Sequence, residues 1–220
     1  MEAIILAAGY ATRLYPLTSD TPKPLLEVGG RPMVEHIIHN MERVKELNKI
    51  YIVTNDKFYP NFLAWQRRCS SSKQIEILND GTTTNENRLG AIGDINYVLH
   101  ARDIHKDLIV VAGDNLFEVP LPKVASSFYE QGYSTLVLYD VKDRELAKKY
   151  GIVAVDEQFK VINFQEKPVE PYSTLASTGI YLFPKKSLVL LEEYSANGSG
   201  KDRPGDFIAW LYPREPVYAY

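Results

Sequence analysis

Residues 6–24 read LAAGYATRLYPLTSDTPKP and continue an uninterrupted apolar run, Ala3–Ala8, near the start of the chain. Such a run predicts a strand that is covered on both faces, as strands of parallel sheets are. Further apolar runs follow along the chain, separated by segments with the spacing of helices. These runs predict strands at Lys49–Thr54, Gln74–Leu78 and Leu108–Ala112. The first intervening helix is predicted over Pro32–Leu47. Alternating strands and helices indicate βαβ units, and therefore a parallel sheet with helices on both faces.

The second half of the chain has a different pattern. Apolar runs predict four more strands with few helices between them, at Ser134–Tyr139, Ile152–Val155, Val161–Gln165 and Ser177–Phe183. We interpret these as an extension of the sheet and an antiparallel lid. Because no linker or repeat divides the sequence, the prediction is one α/β domain over residues 1–220, with halves at 1–115 and 116–220. Its fold class is a Rossmann-like mixed sheet, mainly parallel, with helices on both faces and a small antiparallel extension.

Composition narrows the classes of protein and partner. The 220 residues carry a formal net charge of −3. The chain therefore lacks the surplus of basic residues that would favour binding of nucleic acid, and any site for an anion has to be local. One cysteine, Cys69, excludes an internal disulfide framework and favours a reducing compartment. The apolar run that ends at Ala8 is too short for a signal peptide or a membrane span. The expected location is the cytoplasm, with no membrane partner.

The loop after the first strand has the residues of a phosphate site. Ala7, Ala8 and Gly9 carry little or no side chain, so backbone N–H groups there can approach a ligand closely. Arg13 offers a planar fork for phosphate oxygens, and Lys23 carries a point charge between two prolines that stiffen the backbone. The sequence lacks the P-loop pattern and the G-x-G-x-x-G fingerprint after its first strand, which argues against an ATPase loop and a dinucleotide-dependent dehydrogenase.

Ligands of open parallel sheets bind at the carboxyl ends of the strands. Three polar loops should therefore share one rim: Gly9–Pro24, Asn79–Gly90 and Asp114–Asn115. Asp114 follows a buried strand there and could hold a hard cation through its carboxylate. The histidines have no metal-ligand spacing and are expected to be ordinary surface or helix residues.

The Leu6–Pro24 stretch resembles the signature of the sugar-1-phosphate nucleotidyltransferases, the pyrophosphorylases that make nucleotide sugars. The matching segments are Leu6–Gly9, Thr12–Leu14, Pro16–Thr18, Pro22–Leu25, Val28–Gly29 and Pro32. The sequence departs from the family pattern at Ala11, where relatives have a second glycine. A methyl group there could press on the nucleotide phosphates or shift the loop.

The resemblance extends along most of the chain. Leu89–Gly93 is similar to the family's L-G-T-A-G segment, and Gly113–Asn115 to its G-D element. Tyr150–Val153, Glu166–Pro168 and Thr178–Tyr181 resemble the Y-G-V-V, E-K-P and following strand elements. On this resemblance, residues 1–115 form the nucleotide-binding half and residues 116–220 the sugar-binding half.

The resemblance implies a reaction and a set of site residues. A nucleoside triphosphate and a sugar 1-phosphate would give a nucleoside-diphosphate sugar and pyrophosphate, with Mg²⁺ as the cofactor, held by Asp114. Arg13, Lys23 and Lys167 are the implied catalytic cations, and Gly151, Glu166 and Thr178 the implied sugar-binding residues. The implied nucleotide-binding residues are Leu6, Ala7, Ala8, Gly9, Thr12, Asn79, Asp80, Gly81 and Gly90, with Gly90 beneath the base.

Several alternatives stay open at this stage. The favoured nucleotide is UTP or dTTP, and a nucleotide with cytosine as its base is also allowed. The expected sugar substrate is glucose 1-phosphate. The runner-up reading is a non-catalytic, regulatory member of the same fold that binds a nucleotide or sugar nucleotide. Retention of Arg13, Lys23, Asp114 and Lys167 together favours an enzyme. Oligomeric state is left open.

Relatives usually carry a second metal-binding aspartate in a later segment, and that segment is expected to be missing after Tyr220. Asp202 and Asp206 are weak substitutes, and Asp206 is expected instead to cap a short helix that contains Ile208 and Leu211. With one carboxylate ligand, the chain is expected to bind nucleotide but to turn over slowly and to need millimolar magnesium.

Overall fold

The computed structural model describes residues 1–196 and 203–220, and Asp202 lies outside these ranges. Its strands are β1 Glu2–Leu6, β2 Glu27–Val28, β3 Arg31–Pro32, β4 Lys49–Thr54, β5 Gln74–Asn79, β6 Leu108–Ala112, β7 Ser134–Asp140, β8 Gly151–Val155, β9 Val161–Glu166, β10 Leu175–Phe183 and β11 Val217–Ala219. Its α-helices are α1 Met33–Glu42, α2 Tyr59–Gln66, α3 Gly90–Arg102, α4 Leu121–Gln131, α5 Arg144–Ala147, α6 Leu188–Ala196 and α7 Pro204–Leu211.

One mixed sheet organises the described chain. Its strands run in the order β11-β7-β10-β6-β1-β4-β5, and β8 and β9 form a hairpin that joins it through β10. β1 pairs in parallel with both β4 and β6, whereas β10 is antiparallel to β6 and β7. A separate antiparallel pair, β2–β3, follows the first loop. The predicted fold class, a mainly parallel sheet with an antiparallel extension, is confirmed.

Helices cover both faces of the sheet because each buried strand presents apolar residues to both sides. Ile5 packs with α1, α2 and α4, while its neighbour Ile4 packs with α3, α6 and α7. Alternate strand residues point to opposite faces, so a strand between two helical layers has to be apolar throughout. Among the described residues, no helix combines the length and the apolar character that crossing a bilayer would require.

Several predicted boundaries were wrong, for local reasons. The first strand ends at Leu6 rather than Ala8, and the carbonyl of Ala8 accepts from the side-chain amide of Asn55 instead of from a neighbouring strand. The first helix ends at Glu42 rather than Leu47. Val44 N and Leu47 N instead donate to Met41 O and Val44 O in tight turns that reverse the chain into β4.

The second half is richer in helix than predicted. The helix α4 buries Leu121, Val124, Ala125 and Phe128, a spacing that places them on one helical face. Asp206 does not cap α7, since Arg203 occupies the N-cap position and Asp206 lies within the first turn. A carboxylate in the first turn still interacts favourably with the positive end of the helix dipole.

Candidate functional site

The loop after β1 is anchored by the neighbouring strand β4. Ala7 N donates to Val53 O at 2.8 Å, and the Asn55 side-chain amide donates to Ala8 O at 2.8 Å. Asn55 is fully buried, so its side chain is fixed and holds the alanine backbone in place. Asn55 was not predicted from the sequence, although a polar residue directly after the buried strand Lys49–Thr54 was a usable signal.

Backbone strain occurs at the one departure from the family signature. Ala11 has φ of 47°, in the left-handed region that non-glycine residues rarely adopt. Its carbonyl accepts a hydrogen bond of 2.8 Å from the hydroxyl of buried Thr18. The following turn, Thr12–Leu14, exposes Arg13, which makes no hydrogen bond or ion pair with the residues described here. This cation is therefore available to a ligand.

Two loops that are distant in sequence meet at the ends of β1 and β6. Gly113 N donates to Leu6 O at 2.8 Å, and a Cβ at Gly113 would lie 2.7 Å from that oxygen and 3.1 Å from Pro24. Only glycine permits this approach. As a result Lys23 Nζ lies 2.7 Å from Asp114 Oδ2, in a half-exposed ion pair. The predicted phosphate-binding lysine and the predicted metal-binding carboxylate are thus partners in the ligand-free chain.

The Asp114 loop is also tied to β10. The side-chain amide of Asn115 donates to Thr178 O, and the Thr178 hydroxyl donates to Val137 O at 2.9 Å. Thr178 therefore has its hydroxyl proton committed to the sheet. Asn115 emerges as a residue that fixes the loop carrying Asp114 against the second half of the chain.

A cleft of about 230 Å³ brings several predicted residues together. Its walls include Leu6, Ala8, Gly9 and Gly90, with the side chains of Arg88, Asp94 and Arg203 completing it. Gly90 opens α3 with φ of 78°, so its position requires glycine conformationally. The cleft lies at the carboxyl ends of the parallel strands, where the sequence predicted a shared rim.

The other end of this cleft is built around Glu166, the last residue of β9. Arg203 Nη1 donates to Glu166 Oε1 at 3.2 Å, and the Glu166 side chain is 19% exposed. Lys167 follows with φ of 47° and an exposed side chain. The strand thus ends at Glu166, so the alternation of side chains between strand faces does not extend to Lys167. Arg203 was not identified from the sequence.

Three predicted nucleotide-binding residues lie away from the cleft. The Asn79 side chain donates to Asp56, and Asp80 Oδ1 accepts from both the backbone and the hydroxyl of Thr82. Gly81 forms an exposed turn at φ of 77°. Asn79 is the last residue of β5, the last strand in the sheet order, and Asp80 and Gly81 follow it. None of the three lines the cleft, and neither do the predicted residues Ala7 and Thr12.

The buried tyrosines near the site are poor proton acceptors at neutral pH. Burial raises the pKa of Tyr10, and burial raises the pKa of Tyr181, which shares a hydrogen bond with Ser177, to about 12. Both phenols are therefore protonated near pH 7. Neither Tyr10 nor Tyr181 can therefore serve as a tyrosinate base at neutral pH.

A larger groove of about 500 Å³ lies at the opposite ends of the strands, between α3 and α6. It is lined by Leu99, Ile104, Leu188 and neighbouring histidines and lysines, and it contains no predicted site residue. We place the site in the smaller cleft because it is lined by the predicted residues Leu6, Ala8, Gly9 and Gly90 and by Arg203, the partner of Glu166.

The residues around Asp114 suit a magnesium ion that is held mainly by a ligand. Residues 1–196 and 203–220 contain no group of three or more His, Cys, Asp or Glu side chains able to bind a metal. Asp114 contributes a single exposed carboxylate. Magnesium commonly binds through one or two carboxylates, with phosphate oxygens and waters completing its shell. The donor set therefore fits a magnesium–phosphate complex rather than a metal bound by protein alone.

Comparison with known proteins identifies a family. The profile of the family described as nucleotidyl transferase matches residues 2–219. The bifunctional protein GlmU of Methanocaldococcus jannaschii is 32% identical over 221 residues, covering 99% of this chain and 48% of the relative. The UTP–glucose-1-phosphate uridylyltransferase of Synechocystis sp. is 28% identical over 225 residues, covering 97% of this chain and 55% of that protein. The chain thus spans about half the length of these curated relatives.

Solved structures agree with this assignment. A Bacillus anthracis protein described as a candidate glucose-1-phosphate thymidylyltransferase, crystallised with sucrose, superposes with a TM-score of 0.80 at 25% identity. The match covers 100% of this chain and 86% of that one.

Proposed function

The chain belongs to the nucleotidyl transferase family, and from that premise we propose that it transfers a nucleoside monophosphate to a sugar 1-phosphate. A phosphate oxygen of the sugar 1-phosphate forms a bond to the α-phosphorus of a nucleoside triphosphate. The bond from that phosphorus to the β-phosphate oxygen breaks, and pyrophosphate leaves with the electron pair. The products are a nucleoside-diphosphate sugar and pyrophosphate.

One observation carries the proposal: charged pairs from different parts of the chain lie at the carboxyl edge of the same sheet. Lys23 and Asp114 come from the loops after β1 and β6, while Glu166 and Arg203 come from β9 and the start of α7. The cleft lined by Gly9, Gly90 and Arg203 connects the first loop with the second pair. A ligand with phosphates at its centre, a base at one end and a sugar at the other matches this order of groups.

The nucleophile needs no general base. The second pKa of a phosphate monoester is about 6, so the attacking oxygen is largely anionic at neutral pH. This agrees with the protonated state of Tyr10 and Tyr181. The obstacle is repulsion between two anionic substrates, which cations and fixed geometry can offset.

On the nucleotide side, Arg13 would bind the β- and γ-phosphates that leave, and Lys23 the phosphates near the reacting centre. The guanidinium of Arg13 is exposed and has no partner among residues 1–196 and 203–220, which supports its role. For Lys23 to reach phosphate, its ion pair with Asp114 has to open. Asp114 would then hold magnesium, which when bound supplies positive charge to phosphate oxygens.

On the sugar side, Glu166 would accept hydrogen bonds from sugar hydroxyls while Arg203 keeps its carboxylate in place. Lys167, exposed directly after β9, would attract the sugar phosphate. Arg203 also lines the cleft, so its guanidinium can contact a phosphate there. Gly151, where a Cβ would lie 3.0 Å from Glu166 Oε2, lets the start of β8 pack closely against that carboxylate.

For the nucleotide we favour UTP or dTTP, and for the sugar glucose 1-phosphate. Relatives named a uridylyltransferase and a candidate thymidylyltransferase support this choice. The base would lie over Gly90. Asn79, Asp80 and Gly81 line no part of the cleft, so the present structure gives no support to their role in binding the base.

The test is a screen for pyrophosphate release across the four common ribonucleoside triphosphates, dTTP and several sugar 1-phosphates with magnesium. We expect release only when both substrates are present, with the highest rate for one pyrimidine nucleotide. Tight binding without release in every combination would instead favour the regulatory alternative.

A second experiment separates the two ends of the cleft. Calorimetry on Glu166→Ala should show a much larger loss of affinity for the sugar 1-phosphate than for the nucleoside triphosphate. Glu157→Ala, at an exposed position in the turn between β8 and β9, is the matched control. Equal losses for both ligands would contradict the sugar assignment of Glu166.

A further inference from the structure

Two glycines from separate elements enclose the carboxylate of Glu166. A Cβ at Gly205, in the first turn of α7, would lie 2.8 Å from Phe164 Cζ and 3.0 Å from Glu166 Oε2. A Cβ at Gly151, at the start of β8, would lie 2.6 Å and 3.0 Å from the same two atoms. The ring edge of Phe164 and one carboxylate oxygen therefore fill the space between the two glycine backbones.

These contacts leave no room for a methyl group. Non-bonded carbon atoms have their optimal separation at about 3.5–4.0 Å, so a Cβ at Gly205 would overlap the ring of Phe164. Phe164 is 5% exposed and lies in the core under α3, α6 and α7. Because the ring is held on its other sides, a methyl group at Gly205 would displace either α7 or the Glu166 side chain.

The approach of α7 also determines where Arg203 lies. Arg203 is the N-cap residue of α7, two positions before Gly205, and its Nη1 donates to Glu166 Oε1. Glu166 Oε1 thus accepts from Arg203, while Oε2 lies beside the positions that a Cβ would take at Gly151 and Gly205. A shift of the first turn of α7 would change both contacts together.

We propose that Gly205 is a positioning residue for the sugar end of the cleft. Its lack of a side chain brings the first turn of α7 close to β9, so that Arg203 and Glu166 meet in the orientation that the sugar 1-phosphate requires. The role assigned to Glu166 rests on the proposed function, whereas the positioning of Glu166 by Gly205 is a property of the fold.

A purely structural role for Gly205 would act through Phe164 alone, and a second substitution separates the two roles. Phe164→Leu removes the ring atoms that Gly205→Ala would strike but leaves the 3.0 Å approach to Glu166 Oε2. We expect Gly205→Ala/Phe164→Leu to unfold at nearly the temperature of Phe164→Leu. A displacement of about 1 Å in a group that positions the substrate can lower the reaction rate about a hundredfold. We therefore expect the double variant to bind glucose 1-phosphate with an affinity at least about tenfold lower than that of Phe164→Leu. Its affinity for UTP should be unchanged.

Gly132→Ala is the matched control for loss of stability. Gly132 ends α4 at φ of 70°, so alanine is strained there, and the position is far along the chain from the cleft residues. This variant should unfold at a lower temperature and keep both affinities. The inference is overturned if the double variant binds glucose 1-phosphate as Phe164→Leu does, or if it loses UTP affinity to the same degree.

A crystal structure of the double variant provides a readout that does not depend on activity. We expect the Arg203–Glu166 hydrogen bond to be broken there and intact in Phe164→Leu. If the wild-type chain binds no sugar 1-phosphate, the proposed function fails, and this structural comparison still decides the positioning role. An intact Arg203–Glu166 bond in the double variant would refute it.

Discussion

Lys23 Nζ donates a hydrogen bond of 2.7 Å to Asp114 Oδ2 across 91 residues of sequence. The two residues come from the loops after neighbouring strands β1 and β6, and Gly113 allows those loops to approach. In the proposed reaction both side chains have ionic ligands of their own, a phosphate for Lys23 and magnesium for Asp114. A magnesium–nucleotide complex can satisfy both at once, whereas magnesium alone has to displace the lysine.

Lys23→Met should therefore increase the affinity for metal in the absence of nucleotide. The pair is half-exposed, with side chains 34% and 46% accessible, so we expect a gain of only about fivefold, as exposed ion pairs are worth ~1 kcal/mol or less. Mn²⁺ titration followed by electron paramagnetic resonance measures it directly. The same variant should bind UTP more weakly.

Lys148→Met is the control for that experiment. Lys148 forms a comparable exposed pair with Glu145 at 2.7 Å, and neither residue belongs to the site. Its removal should leave Mn²⁺ affinity unchanged. If Lys23→Met also leaves Mn²⁺ binding unchanged, the lysine does not compete for Asp114.

Arg13→Ala should reduce kcat/KM strongly without affecting folding. Loss of one preorganised contact to developing charge costs on the order of 10²–10³ in rate. Arg13 is exposed and has no partner among the residues that the structure describes, so the melting temperature should not change. Arg31→Ala, at an exposed arginine on the short strand β3, is the matched control and should keep full activity. A kcat/KM for Arg13→Ala equal to that of the control would remove Arg13 from the site.

Ala11→Gly should stabilise the protein. Alanine at φ of 47° is strained relative to glycine, and the relief is worth about 1 kcal/mol, or roughly 2–4 °C in Tm for a chain of this size. Ala101→Gly, in the last turns of α3, should instead lower Tm, because glycine is unfavourable in a helix. Thermal unfolding of the two variants checks both signs, and a lower Tm for Ala11→Gly would show that contacts of the methyl group outweigh the strain.

Thr174→Val should weaken the fold at neutral pH and have less effect in acid. The Thr174 hydroxyl and then Lys142 N donate to the Asp140 carboxylate, and these hydrogen bonds hold its pKa below the usual value. Because the pKa of Asp140 is lower in the folded chain than in the unfolded chain, its ionised form stabilises the fold. This stabilisation is complete at pH values above the pKa of the unfolded chain, about 3.9, and is lost as the pH falls through the pKa of the folded chain. Urea unfolding at pH 7 and near pH 2.5 measures the difference. Asp140→Asn, which cannot ionise, should abolish this pH dependence, and an equal effect of Thr174→Val at both pH values would contradict the assignment.

The apolar runs determined much of the architecture by themselves. Lys49–Thr54 and Leu108–Ala112 form strands with the predicted bounds, because the central positions of a strand buried on both faces are apolar on both sides. The cations of the first loop were also readable, since exposed Arg13 and Lys23 have no use in core packing, whereas Ala7 is part of the core. Helix α4 was not predicted, although its buried residues recur at helical spacing and the sequence therefore contained the pattern for it.

Tertiary structure alone decided which of these residues act together. Lys23 meets Asp114 because β1 and β6 are neighbours in the sheet and Gly113 permits close approach. Arg203 meets Glu166 because α7 packs on β9 at Gly205. Local periodicity reports which face of an element is buried, but it carries no information on which distant element covers that face. Pairs separated by many residues therefore depend on strand order and on the space left at single glycines, which only the folded chain determines.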